Sequence, residues 1–365
     1  MKQRISGSLS RSIRNKAACK MNTIIRYITT DEKKNTEIFD KARDVLKNGG
    51  LVSFPTETVY GLGADALNPA ACKKIYEAKG RPSDNPLIVH AASLKEARSV
   101  AVFDKRAEIM AQHFWPGPLT LVLKKQPCVP DEVTGGLDTV AVRVPCHSTA
   151  RKLLEQSGMF IAAPSANLSG RPSPTQAAHV IDDMDGRIDM IIADDSVNVG
   201  LESTIIDMTV DIPVILRPGA VTKEDAQEVL GENVTFAKED AGEGSPKAPG
   251  MKYRHYAPRA EMHIVWGDVE KMSATINEMA AEAGSEGRKV FILSGDDTAD
   301  RYTSGEVVCL GGNGHEVSVN LFKALRRCDD EGADVILSEG FEETGIGRAI
   351  MNRLIKASGN NIIRV

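Results

Sequence analysis

Aromatic residues are scarce in this chain, 5% of 365 positions with two tryptophans, so a sheet face that reads RNA by stacking bases on rings is not expected. Positive charge is not in excess either. Lys and Arg number 45 against 50 Asp and Glu, and a net charge of -5 argues against coating nucleic acid through bulk charge. No run of about 18 apolar residues is present, so no membrane-spanning helix is expected. The six cysteines, Cys19, Cys72, Cys128, Cys146, Cys309 and Cys328, form no CxxC pair and have no His at metal-ligand spacing. They read as reduced, structural residues.

What remains is an ordinary globular composition, 42% hydrophobic and 26% charged, on a chain long enough for two domains. Residues 1–35 read as a basic tail. Lys2, Arg4, Arg11, Arg14, Lys16, Lys20 and Arg26 face no acid before Asp31. That composition suits a disordered segment, an upstream start preceding Met21, or, in a eukaryote, a mitochondrial transit peptide. Otherwise a cytoplasmic protein is expected.

Periodic structure is expected from Thr36. Ile38, Phe39, Ala42, Val45 and Leu46 share a helical face, and Gly49-Gly50 ends that helix. Asn68 and Pro69 open another helix that Gly80 closes, leaving Lys79 in its last turn. Ser93 and Glu96 write a capping box. Short apolar runs at 51–54, 87–89, 119–123, 140–144, 159–163, 190–193, 204–207 and 214–216 read as strands. Strands and helices mix without strict alternation, which predicts an α/β domain over 36–232 with a twisted mixed sheet.

Glycines and prolines over 233–258 predict a linker. Met251-Lys252-Tyr253-Arg254-His255-Tyr256 concentrates aromatic and basic groups in it, as a docking segment would. Over 259–365, strands near 262–265, 289–293, 307–310 and 335–338 alternate with helices near 269–281, 317–328 and 348–357. This predicts a smaller doubly wound, Rossmann-like α/β domain. Gly345-Ile346-Gly347 before its last helix reads as a helix start rather than a nucleotide loop.

Candidate chemistry gathers in the first domain, above all from Ser53 to His90. Lys79 and Arg81 flank a glycine; they can grip successive phosphates or simply complement a helix end. In Thr139-Val140-Ala141-Val142-Arg143-Val144, strand alternation turns Arg143 away from the apolar face, into a cleft or into water. Ser165 and Asn167 lie in a loop after an apolar strand, where open α/β sheets bind ligands, although local turns use the same residues. Ser203 opens a strand after Gly200, and Arg217 ends one.

These segments resemble the YrdC-type threonylcarbamoyl-AMP synthases, with Lys79, Arg81, Ser165 and Asn167 standing as that family's Lys-x-Arg and Ser-x-Asn pairs. The linker from Pro249 to Pro258 is similar to that of the long, two-domain members. The resemblance spans residues 36 to 365 and implies a nucleotidyltransferase, L-threonylcarbamoyladenylate synthase, using L-threonine, bicarbonate and ATP. It further implies that Thr58, His90, Arg143, backbone near Ala163, and Ser203 hold threonine. Arg81, Asn85, Thr139, Ser165, Ser173, Arg217 and Tyr253 would hold ATP, with Lys79 near the phosphates and Tyr253 on a lid. Lys79, Arg81, Ser165 and Asn167 are the implied catalytic set. Magnesium is expected to arrive mainly on ATP, without a dedicated protein site. The implied product feeds tRNA threonylcarbamoyltransferase proteins that modify adenosine beside the anticodon; direct strong nucleic-acid binding is not expected. Two alternatives share parts of the pattern. One is the carbamoyl-adenylate-forming module of hydrogenase-maturation carbamoyltransferases, whose zinc-finger cysteine pairs are missing here; the other is an RNA-binding module, which the acidic balance disfavours.

Overall fold

The computed structural model describes residues 21–194, 197–237 and 256–365. Regular structure begins before the expected boundary at residue 36. Ile24–Tyr27 is a strand paired in parallel with Met190–Ala193. Asp31 then caps the helix Glu32–Lys47 by accepting from the Lys33 and Lys34 N–H groups. The tail expected over 1–35 is therefore too long, because its last part completes a sheet edge through a partner more than 160 residues away in the chain. Local composition carries no trace of such a pairing.

The first domain is built on a mixed sheet of twelve strands. At its centre Val52–Phe54 runs antiparallel to Gly61–Asp65, which borders Ile161–Ala162. That short strand is antiparallel to Ile88–His90, and Ile88–His90 is parallel to Thr139–Arg143. Both faces are covered. Ala162 belongs to a core with Leu62, Val89 and Val142, while its neighbour Ile161 packs with Val52, Phe54 and Phe39 on the other side.

The second domain has a five-stranded sheet, parallel throughout, in the spatial order Glu306–Cys309, Val290–Ser294, Val335–Glu339, Glu261–Trp266, Ile362–Arg364. Alternation along these strands feeds two cores. Met262, Ile264, Phe291 and Leu293 meet the helices Gly314–Asp330 and Gly347–Ser358, whereas Val265, Val290 and Ile292 meet Val269–Ser285. That is the doubly wound arrangement expected. At Gly347 a Cβ would stand 2.0 Å from the Glu342 carbonyl oxygen, so this glycine permits a close backbone approach at the helix start.

The linker expected over 233–258 loses both its ends to the first domain. Thr235–Phe236 is a strand parallel to Val214 and Ile215, and the Ala257 N–H donates to Gly170 O at 2.9 Å. The domains then meet closely. Val59 and Leu201 of the first domain are buried in the core of the second. Gly200, with φ +77°, lies so near the second domain that a Cβ would be 2.4 Å from Ser318 O. Among the described residues, no helix is long and apolar enough to cross a membrane.

Candidate active site

Sheet register creates the site. His90 and Arg143 are register partners at the carboxyl ends of adjacent parallel strands, so their side chains arrive at the same edge. Thr58 stands in the turn between Val52–Phe54 and Gly61–Asp65, and a bridge between Gly61 and Ser165 brings the Ala163–Asn167 loop alongside. The result is an open cleft whose walls include Thr58, His90, Arg143, Ala163, Ser165, Asn167, Ser203, Arg81, Ser173 and Arg217. Positions spread over 160 residues of sequence thus face one space.

At one end, Arg143 is almost fully buried. It donates to Thr58 Oγ1 at 2.9 Å and to Gly117 O at 3.2 Å, and pairs with Glu57 Oε1 at 2.7 Å. Burial by itself would raise the Glu57 pKa, but the Arg143 guanidinium brings it below the usual carboxylate value. Burial, reinforced by the Arg143 charge, pushes His90 down to about 3, so this imidazole is neutral at physiological pH. Three hydrogen-bonding types therefore meet: a cation, a neutral imidazole and a hydroxyl.

At the other end, Arg81 donates to the Asn85 and Pro86 carbonyl oxygens, at 3.2 and 3.1 Å. Burial lowers it only to about 10, which leaves it charged. Arg217 donates to Ser203 O and Oγ, both at 3.1 Å, and Ser203 Oγ lies 2.8 Å from Thr120 Oγ1. Ser203, implied for threonine, and Arg217, implied for ATP, are directly bonded, and the two halves of the cleft join there.

Three of the implied residues fall elsewhere. Lys79 does not line the cleft: its ammonium donates to Ser165 O and Asn167 O, each at 2.5 Å, and to Asn167 Oδ1 at 3.4 Å, pinning the loop that carries both side chains. Burial, with Arg81 nearby, pushes its pKa well down. Asn85 stands behind Arg81, holding it through its carbonyl while its own Oδ1 has no hydrogen-bond partner among the described residues. Thr139 begins the strand that Arg143 ends, about 13 Å away at ordinary strand rise. Tyr253 lies outside the described residues.

The cleft also contains residues to which the motifs assign no role, Thr56, Tyr60, Arg171 and Glu202, together with Tyr256 from the segment expected to dock. One signal was available for Arg171. Gly170-Arg171-Pro172-Ser173 repeats Gly80-Arg81-Pro82-Ser83, and both arginines reach the same cavity. Tyr256 has φ 64°, a left-handed conformation that a bulky side chain rarely adopts, and its buried ring closes one wall. Among the described residues, no three His, Cys, Asp or Glu side chains form a group able to hold a metal ion.

The site is a polar cleft at strand ends in which Arg81, Arg143, Arg171 and Arg217, a neutral imidazole and several hydroxyls face one space, a donor-rich set suited to an enzyme acting on small anionic substrates. Residues 44–219 match the family model described as telomere recombination, Sua5/YciO/YrdC, and residues 221–359 match the threonylcarbamoyl-AMP synthase C-terminal domain. The threonylcarbamoyl-AMP synthase of Pyrococcus abyssi is 52% identical over 89% of this chain and 95% of its own length. That of Bacillus subtilis is 46% identical over 92% and 97%. The crystal structure of P. abyssi Sua5 complexed with L-threonine superposes with a TM-score of 0.87 at 49% identity, covering 94% of this chain and 99% of that one. The chain belongs to the threonylcarbamoyl-AMP synthase family, in its two-domain form.

Proposed function

We infer that this enzyme makes threonylcarbamoyl-adenylate and pyrophosphate from L-threonine, bicarbonate and ATP. The observation that carries the reading is the single cleft lined both by Arg143, Thr58 and His90 and by Arg81, Ser165, Ser173 and Arg217. Threonine would place its carboxylate on Arg143, a fork of donors suited to a planar anion. The threonine amine and bicarbonate condense to a carbamate with loss of water. A carbamate oxygen then bonds to the α-phosphorus of ATP as the bond to the β-phosphate oxygen breaks, and pyrophosphate leaves. Such a displacement depends on alignment and on neutralising charge, which Arg81 and Arg217 supply without a dedicated nucleophile.

Magnesium is proposed to enter on ATP. Its ligands would be phosphate oxygens and water, since Glu57 is engaged by Arg143 and Glu202 by Arg353. The net charge of -5 disfavours strong direct binding of tRNA and so suits handing the adenylate to separate tRNA-modifying proteins, and a cytoplasmic site of work is part of the same proposal. The test is pyrophosphate release by the purified full chain across a panel of amino acids. Release that requires threonine and bicarbonate together is expected; release indifferent to threonine overturns the reading.

A further inference from the structure

We propose that Arg353, on the last helix of the second domain, is a positioning residue that acts through Glu202 to fix Ser173 as a hydrogen-bond acceptor for a donor group on the nucleoside part of ATP. The chain of contacts is short. Arg353 Nε donates to Glu202 Oε2 at 2.7 Å, and Glu202 Oε1 accepts from Ser173 Oγ at 2.5 Å. Both Ser173 and Glu202 line the cleft, and Arg353, fully buried behind them, does not. The same guanidinium stands 5.5 Å from the centre of the Tyr256 ring, and that ring lies 5.2 Å from Phe322 of the second domain. One arginine thus braces two walls of the nucleotide end.

The polarity follows from proton counting. Burial would raise the Glu202 pKa, but Arg353 and Arg217, with the hydrogen bonds from Ser173 and Arg353, bring it down to about 2. An ionised carboxylate only accepts, so the single Ser173 proton is spent on Glu202. Ser173 Oγ then offers the cleft lone pairs and nothing else. Phosphate oxygens are acceptors too, so they are poor partners for it; a ribose hydroxyl or the adenine amino group fits. A carboxylate beside a site for a polyanion is otherwise a liability, and it is tolerable because Arg353 and Arg217 flank it. Stability does not explain the pair, since buried ion pairs are often replaceable by apolar side chains without loss.

This inference rests on ATP occupying the Ser173 end. The wild-type full chain is first assayed for threonine-dependent pyrophosphate release; failure there defeats the functional reading and not this one. Ser173→Ala is then compared with wild type on ATP, 2′-deoxyATP, 3′-deoxyATP and the triphosphate lacking the 6-amino group. The expected result is a rise in KM of about tenfold with ATP that disappears with one of the three analogues. An equal penalty on all of them overturns the acceptor role. Arg353→Met should raise KM for ATP by about tenfold and leave KM for threonine within about twofold, and adding Ser173→Ala to it should cost nothing further. Glu202→Gln serves if Arg353→Met does not fold: its amide can donate to Ser173, so it should reproduce the Ser173→Ala pattern across the analogues. Additive losses, or equal rises in both KM values, reduce Arg353 to a structural contact.

Discussion

Arg143 Nη2 stands 2.7 Å from Glu57 Oε1, in a pair whose side chains are 4% and 6% exposed, so the arginine assigned to threonine already carries a carboxylate. Glu57 therefore orients the fork as well as neutralising it. Arg143→Ala should raise KM for threonine by about tenfold or more while ATP binding changes much less. It should also destabilise the fold by about 3–5 kcal/mol, because Glu57 is left buried and unpaired. Adding Glu57→Gln should recover much of the urea midpoint without recovering threonine use. Equal loss for both substrates would contradict the assignment.

Lys79 offers a different kind of test, because its ammonium is spent on loop carbonyls. Lys79→Met should leave the Ser165 and Asn167 carbonyl oxygens without their donor, costing about 1–3 kcal/mol. Since the loop serves both ends of the cleft, KM should rise for threonine and ATP alike, with a fall in kcat. An effect confined to ATP, with an unchanged melting temperature, would show a direct phosphate contact instead.

Docking of the domains rests partly on Arg326, which donates to Asp183 Oδ2 at 2.8 Å and to Pro172 O at 2.6 Å. Asp183 also holds Arg171 of the cleft wall. Arg326→Met should lower stability by about 1–3 kcal/mol in urea and weaken ATP use through Arg171. A variant as stable and as active as wild type would show that this contact is idle.

Acid sensitivity follows from two histidines. Burial first, and arginine charges second, depress both His90 and His179 from 6.5 to about 3. Between those values the unfolded chain binds protons that the folded chain does not, so stability falls as pH drops through the window and is fully present above it. Each histidine can cost up to about 1.4 kcal/mol per pH unit there. His179 Nδ1 accepts from the Thr175 N–H at 3.3 Å, a bond that protonation abolishes. His179→Gln should flatten the acid limb of melting temperature against pH; an unchanged slope would refute its share.

Much of the fold was legible because its signals are local. Helix caps at Asn68 and Ser93 appear where the sequence places them, each accepting from the first helical turn. The parallel strands of the second domain read clearly because both their faces are apolar. What escaped was Ile24–Tyr27, which has two partly buried residues and pairs along its whole length with a strand far along the chain, and Gly61–Asp65, whose glycines give no strand pattern. Gly63 is there because a Cβ would lie 2.7 Å from Ile161. That is a tertiary reason, invisible from composition.

The sequence by itself determined most of the helices, the apolar strands and the two-domain division, since turn chemistry, capping and apolar periodicity are properties of neighbouring residues. In the stretch from Ser53 to His90 the local pattern singled out Lys79 and Arg81, while Thr58 and His90 came only through the family resemblance. Tertiary structure decided which cations remain free for substrate. Lys79 and Arg81 look alike in sequence, yet one is consumed by loop carbonyls while the other faces the cavity. Likewise Arg353, more than 130 residues after Arg217, reaches the same site only because the second domain packs its last helix against Glu202. Burial and distance, which no local pattern encodes, assign a charged side chain to its partner.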